Sequence, residues 1–193
     1  SVAYTNNINA CTSRVTITGI GAYSGVKTVT FRIQRAKAML TPTAAALTLT
    51  QSSRKTAVIK HKKTDGKISL KSSNSKIVKI SGTSIIPLSP GQATVTITAA
   101  QGRNYNTVSA KISISVRPLP VSSLSLKSSA KGQATASWKQ VKSITSYQIQ
   151  YSTASSMKSA RTITVKGASK SAVLKKLTSG KKYYVRIRTV KTV

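Results

Sequence analysis

Apolar and polar residues alternate along most of the chain in short runs separated by Gly, Pro, Ser, Asn and Asp. A period of two places alternate side chains on one face of a strand, and helical spacing is nearly absent, so the pattern predicts an all-β protein. In Arg14-Val15-Thr16-Ile17-Thr18 the apolar residues share one face. Lys27 to Ile33 repeats the pattern, with Val29, Phe31 and Ile33 inward and Arg32 outward. Further strands are predicted at Thr94 to Thr98, Lys111 to Val116, Ala134 to Trp138, Tyr147 to Tyr151, Arg161 to Lys166, Ser171 to Leu174 and Tyr183 to Thr189. The Val-Thr-Ile-Thr run at Val15 returns at Val95, each time with a tyrosine and a closing strand behind it, which reads as an internal repeat of one sandwich module.

Two lapses divide the chain. Alternation fades from Gln34 to Ala46, around Pro42, and Arg117-Pro118-Leu119-Pro120 stiffens a second connection toward polyproline II. Three tandem units result, 1–37, 38–118 and 119–193. The first is too short to bury both faces of a sheet and corresponds to the second half of the module that follows. Together they predict tandem immunoglobulin-like and fibronectin-like β-sandwiches.

Three resemblances follow from particular residues. Trp138, then Tyr147-Gln148-Ile149-Gln150-Tyr151, then Leu177 to Arg188 with Leu177, Gly180 and Tyr183 at corner spacing, resemble a fibronectin type III domain that stops at Val193, before the family's last strand. The resemblance implies that the corner tyrosine hydroxyl satisfies a backbone group at the turn. Ser72-Ser73-Asn74, Val78 to Gly82 and Pro90 to Thr98 resemble a bacterial immunoglobulin-like domain of group 2 type. Tyr4 to Ala10, Val15 to Gly19 and Gly21 to Gly25 are similar to the C-terminal half of an MBG-type repeat, with Cys11 where such repeats usually carry glycine. Jointly these resemblances imply extracellular stalk and adhesion modules at a bacterial cell surface or in its wall.

Composition narrows the chemistry. The 193 residues hold 32 Lys+Arg against one Asp+Glu, one His and one Cys, a formal net charge of +31. Paired carboxylates, a calcium cage and an oriented triad all need acids that are not there, and Asp65, His61 and Cys11 together would make a minimal zinc site at best. The expectation is therefore no enzyme activity, no catalytic residue, no metal and no cofactor. The same shortage removes the acid that assists intramolecular isopeptide bonds in some surface stalks. No run approaches the roughly 18 apolar residues of a membrane span, so no membrane insertion is expected. The first residues lack a signal peptide's charged and apolar blocks, and the sequence reads as an interior piece of something longer.

Charge supplies the candidate contacts. Arg54, Lys55, Lys60, Lys62, Lys63 and Lys67 form the densest basic stretch, and Asp65-Gly66 within it predicts a hairpin turn with the lysines near its tip. On the last predicted strand Tyr184, Arg186 and Arg188 face outward, an aromatic beside two planar guanidiniums that could stack on a sugar or base and hold anions. His61 reads as an exposed residue among lysines, Cys11 as a thiol or a small apolar filler, and Trp138, Tyr147, Ile149 and Tyr151 as core. Basic residues occur in all three units, which fits general polyanion affinity better than a nucleic-acid reader with its charge on one face.

The leading functional expectation is a non-enzymatic structural or adhesive stalk segment of a large secreted or wall-attached bacterial protein. Its partners would be anionic wall polymers or glycans, or a host surface protein, with strand complementation by a neighbouring chain or by further sequence of the same parent protein, and no specific nucleic acid. The alternatives are a binding module for a host protein or anionic glycan, and an accessory segment of a surface hydrolase.

Overall fold

The computed structural model describes residues 1–55 and 58–192, so the expected end of the last unit at Val193 lies outside the described residues. All regular structure in it is β. The opening unit is one antiparallel sheet, β1 (Val2–Thr5), β2 (Thr12–Thr18) and β3 (Val26–Arg32), in that order. Its register places Tyr4 opposite Val15 and Val15 opposite Val29, while Ser13 faces Phe31 and Val2 faces Ile17. One face of the sheet therefore collects the apolar side chains. That face is not covered: Ile17 is 47%, Val29 50% and Phe31 42% exposed. The three strands form because they alternate, but a lone sheet has no second layer to bury against.

The middle unit has both layers. Its strands are β4 (Met39–Pro42), β5 (Ala46–Thr50), β6 (Ile59–Lys63), β7 (Ile68–Ser72), β8 (Val78–Ser81), β9 (Ser84–Pro87), β10 (Gly91–Ala99) and β11 (Val108–Arg117). The main sheet runs β5-β11-β10-β7, with β5 parallel to β11 and the other pairs antiparallel. The pairs β4-β6 and β8-β9 supply apolar residues from outside that sheet. Val95, Ile97, Ile112 and Ile114 from the sheet pack in one cluster with Leu40, Val58, Val78 and Ile85. Each such side chain contributes about 1.5–3 kcal/mol on full burial.

The Asp65-Gly66 turn differs from the expectation of a hairpin. β6 pairs with β4 and β7 pairs with β10, so the chain passes from one sheet to another at this turn instead of folding back on itself. The physical reason lies in what the turn touches. Asp65 accepts a hydrogen bond from the Asn104 backbone N–H at 2.7 Å, and the Gly66 N–H donates to Thr64 Oγ1 at 3.0 Å. Turn residues specify a change of direction, and the tertiary contact decides which strand comes next.

The last unit contains β12 (Ser125–Ala130), β13 (Gln133–Ser137), β14 (Ser146–Ser152), β15 (Arg161–Lys166), β16 (Ser171–Leu174) and β17 (Tyr184–Val190). They make two antiparallel sheets, β12-β13-β16 and β15-β14-β17. Between them lie Trp138, Tyr147, Ile149 and Tyr151, as the alternation predicts, together with Ala136 and Leu174. Trp138 and Tyr147 meet with ring centroids 5.1 Å apart at a tilt of 60°, an edge-biased aromatic contact. Tyr147 and Tyr151 keep their hydroxyls satisfied by backbone: Val141 N–H donates to Tyr147 at 2.6 Å, and Tyr151 donates to the Lys175 carbonyl at 3.2 Å.

The opening and middle units meet at the loop before β11. Ala36 forms an isolated bridge with Tyr105, with Ala36 N–H donating to Asn104 O at 2.8 Å and Asn106 N–H to Ala36 O at 3.1 Å. The Asn104 side chain accepts from Ala10 N–H and donates to Asn9 Oδ1, both at 2.9 Å. Arg35 Nε adds a bond to Gly102 O at 3.1 Å. Asp65, holding Asn104 from the other side, thus fixes the loop on which the opening sheet docks.

Candidate functional site

The basic stretch of the middle unit does not converge. Lys60, His61, Lys62 and Lys63 are all exposed on β6, where alternation sends Lys60 and Lys62 to one face and His61 and Lys63 to the other. Arg54 points elsewhere, donating to Ser84 Oγ at 3.1 Å, and Lys55 is tied through its backbone to Ile85. Lys67 stands exposed beyond the turn. Arg54, Lys55, Lys60, Lys62, Lys63 and Lys67 are thus divided between the β6 strand, the turn after it and the segment beside β9. Cys11 is half-buried at the edge of the opening sheet, its thiol donating to Asn6 O at 3.1 Å, in a different unit from His61.

Tyr184, Arg186 and Arg188, in contrast, stand on one face of one strand, as the alternation of β17 requires. The antiparallel register sets Gln150 opposite Arg186 and Gln148 opposite Arg188, with Thr162 on β15 opposite Gln150. Arg186 Nε donates to Gln150 Oε1 at 2.7 Å, and Gln150 Nε2 reaches Thr162 Oγ1 at 3.1 Å. Arg188 donates to Gln148 Oε1 through Nε at 2.8 Å and Nη2 at 2.5 Å. Two cross-strand rungs result, each with a guanidinium held by a glutamine carbonyl. Lys166, opposite Ser146 on β15, shares this face, because directly paired residues point the same way.

Tyr184 stands on this face as expected, with part of its ring already engaged. Lys182 Nζ lies over its ring at 5.1 Å from the centroid, a cation–π contact that occupies that face, and the ring is half-buried. What the surface offers is a row of cations with some guanidinium nitrogens already fixed in place.

Sequence reasoning missed Gln148, Gln150, Thr162 and Lys182. The signal was present in Gln148-Ile149-Gln150 and Arg186-Ile187-Arg188, two strands with matching outward positions, but only the register shows that they face each other.

The corner of the last unit is built as its resemblance implied. Tyr183 accepts a hydrogen bond from the Thr178 backbone N–H at 3.0 Å, and that bond, which favours the phenolate, holds the Tyr183 pKa below the usual tyrosine value. Leu177 packs against the core cluster beneath it. The fibronectin type III family model matches residues 119–193. A fibronectin type III domain is therefore found at the end of the chain. The rungs lie on the outer face of one of this fibronectin type III domain's two sheets, and its tyrosine corner starts the strand that carries both arginines. Among solved structures, a fibronectin type III domain of human contactin 1 is 21% identical, covering 40% of this chain and 67% of its own with a TM-score of 0.38. A segment of two such domains from chicken tenascin is 18% identical over 100% of this chain and 90% of its own, with a TM-score of 0.47. No curated protein matches the chain.

Proposed function

We propose that the chain is a non-enzymatic segment of a stalk in a large secreted or wall-attached bacterial surface protein, where serial β modules set distance and a basic surface adheres to anionic polymers. Fibronectin type III domains are structural or adhesive modules of multidomain proteins and are generally non-catalytic. The MBG-type and group 2 resemblances of the first two units supply the bacterial, extracellular part of the reading. The observation that carries it is surface: the chain exposes 12724 Å². A single compact domain of 20.4 kDa would expose about 8,800 Å² by the usual scaling. A chain with several small cores in series has that excess; one built around a catalytic cleft between large layers does not need it.

Small-angle scattering tests this directly. A compact globule of this length has a radius of gyration of about 16 Å, and the stalk reading expects a clearly larger value with an elongated distance distribution. A radius near the compact value would overturn it.

The uncovered face of the opening sheet favours complementation by a neighbouring chain as part of the same function. Val2, Tyr4, Ile17, Val29 and Phe31 together form an apolar patch of the kind that marks interaction sites. Sedimentation at rising concentration should show association, and Val29→Lys should abolish it. Wild-type chains that stay monomeric throughout would remove complementation by a neighbouring chain and leave the stalk reading to the scattering result.

A further inference from the structure

We infer that the outer face of the β15-β14-β17 sheet is a docking track for an extended, base-free phosphodiester polymer, with one anion held at each arginine rung. The inference rests on the anionic-polymer part of the reading above and assigns it a place and a ligand chemistry. Three observations carry it. First, the guanidiniums are positioned before any ligand arrives. Gln148 and Gln150 engage Nε of both arginines and Nη2 of Arg188, and both arginine side chains are exposed, which leaves Nη1 of each and Nη2 of Arg186 for an incoming anion. A neutral carbonyl does this without cancelling the charge, as a carboxylate partner would.

Second, the spacing selects among polyanions. Arg186 and Arg188 are two residues apart on a strand, so the rungs repeat at about 6.8 Å, about the same interval as successive phosphates in an extended polyol phosphodiester with three carbons between its ester oxygens. Inorganic polyphosphate crowds its charges more closely than this. Sulfated glycans place theirs at uneven intervals around bulky rings.

Third, the outward ring on this face, Tyr184, is already engaged. Tyr184 is half-buried, and Lys182 Nζ stands over one face of its ring at 5.1 Å from the centroid. Recognition of single-stranded nucleic acid relies on bases stacking on such rings, and a pyranose ring would use one too. A polymer that presents only phosphates and a slim polyol chain needs none. Lys166 and Lys182 add cations on either side of the two rungs, and the single side-chain carboxylate of the chain, Asp65, belongs to the middle unit.

The test changes the rungs without changing the charge. Poly(glycerol phosphate), oligo-dT of equal phosphate number and heparin are titrated into the full chain at low and at about 0.15 M salt, where the Debye length is about 8 Å. The double variant Gln148→Leu, Gln150→Leu keeps the net charge and frees the guanidiniums. It should weaken poly(glycerol phosphate) binding about five- to tenfold, the size expected for losing one or two orienting hydrogen bonds, and change heparin less than twofold. Arg186→Lys with Arg188→Lys also keeps the charge and removes the planar fork; it should reproduce the loss, which guards against a folding defect in the leucine variant. Equal affinity of wild type and both variants for poly(glycerol phosphate) would overturn the docking track while leaving a general polyanion surface in place. Preference for oligo-dT over poly(glycerol phosphate) would also overturn it, because bases would then be contributing. Failure of all three polymers to bind would remove the anionic-polymer reading itself.

Discussion

The opening sheet and the middle unit contain the same Val-Thr-Ile-Thr strand, and its side chains meet different surroundings in each. Val95 and Ile97 on β10 are 0% exposed, packed beneath the β4-β6 and β8-β9 pairs. On β2, Val15 is half-buried and Ile17 is 47% exposed, with no second layer above them. Backbone pairing is comparable in the two places: β2 lies between β1 and β3 as β10 lies between β7 and β11. Strand formation thus follows local alternation and a neighbour to pair with, while burial is decided by an independent layer that the strand itself does not encode.

The sharpest way to break this contrast is a truncation at matched positions. Ile97→Ala should destabilise the middle unit by about 2–5 kcal/mol, and Ile17→Ala should cost less than about 1 kcal/mol because its side chain already meets solvent. Denaturant midpoints of the two transitions measure both. Equal losses would mean that the face of the opening sheet is covered in solution, which would strengthen complementation and end the contrast.

A second substitution examines the joint between the two regions. Gly102 approaches Asp65 and Gly66 so closely that a methyl group there would overlap the Asp65 carboxylate and stand 2.8 Å from Gly66 N. Gly102→Ala should cost about 1–3 kcal/mol by forcing the two loops apart. The middle unit's melting temperature should fall, and the opening sheet's amides should exchange faster with it.

Asn104→Ala isolates the dock from the core. It removes the bonds to Ala10 and Asn9 and leaves the backbone bond to Asp65 intact. The expected cost is about 1–2 kcal/mol, read as faster hydrogen exchange in β1 to β3 with the β10 and β11 amides unchanged. Protection lost equally in both regions would show that they unfold as one unit.

The smallest effect concerns the last unit, which serves as a control remote from the opening sheet. Because the Thr178 N–H holds the Tyr183 pKa down, the ionised phenol is favoured in the folded state. Its contribution to stability is fully present above the unfolded tyrosine value near 10 and fades as pH falls through the lowered folded value. An alkaline titration followed by phenolate absorbance should show Tyr183 ionising below the usual tyrosine value, and Tyr183→Phe should remove that early phase. A wild-type curve without it would mean that the corner bond is not kept in solution.

Much of the fold was legible because alternation is local. The strands around Val15, Val95, Tyr147 and Ile187 fall where the pattern puts them, and the Trp138, Tyr147, Ile149 and Tyr151 core follows from the same parity. The partition into sheets was not legible at Asp65-Gly66, because turn chemistry does not name the strand that comes next. The candidate surface divided along the same line. Tyr184, Arg186 and Arg188 were placed outward by parity, whereas their glutamine partners on β14 depended on a register set by side chains far away in sequence, and the lysine over Tyr184 depended on a conformation of the corner.

The parallel pairing of β5 with β11 has a mechanical consequence. The chain enters β5 at Ala46 and leaves β11 at Arg117, and the ladder runs from Ala46 opposite Ser113 to Thr50 opposite Arg117. A pull applied to the two ends of this unit first meets the β4-β6 pair and then the β5-β11 ladder. In a parallel pair held at opposite ends, the tension lies along the strands, so the bonds of the ladder are sheared together and none can be unzipped ahead of the others. Among the described residues of the last unit the ladders are all antiparallel, in the sheets β12-β13-β16 and β15-β14-β17. Under tension the middle unit should therefore hold its length until the whole β5-β11 ladder gives way in one step.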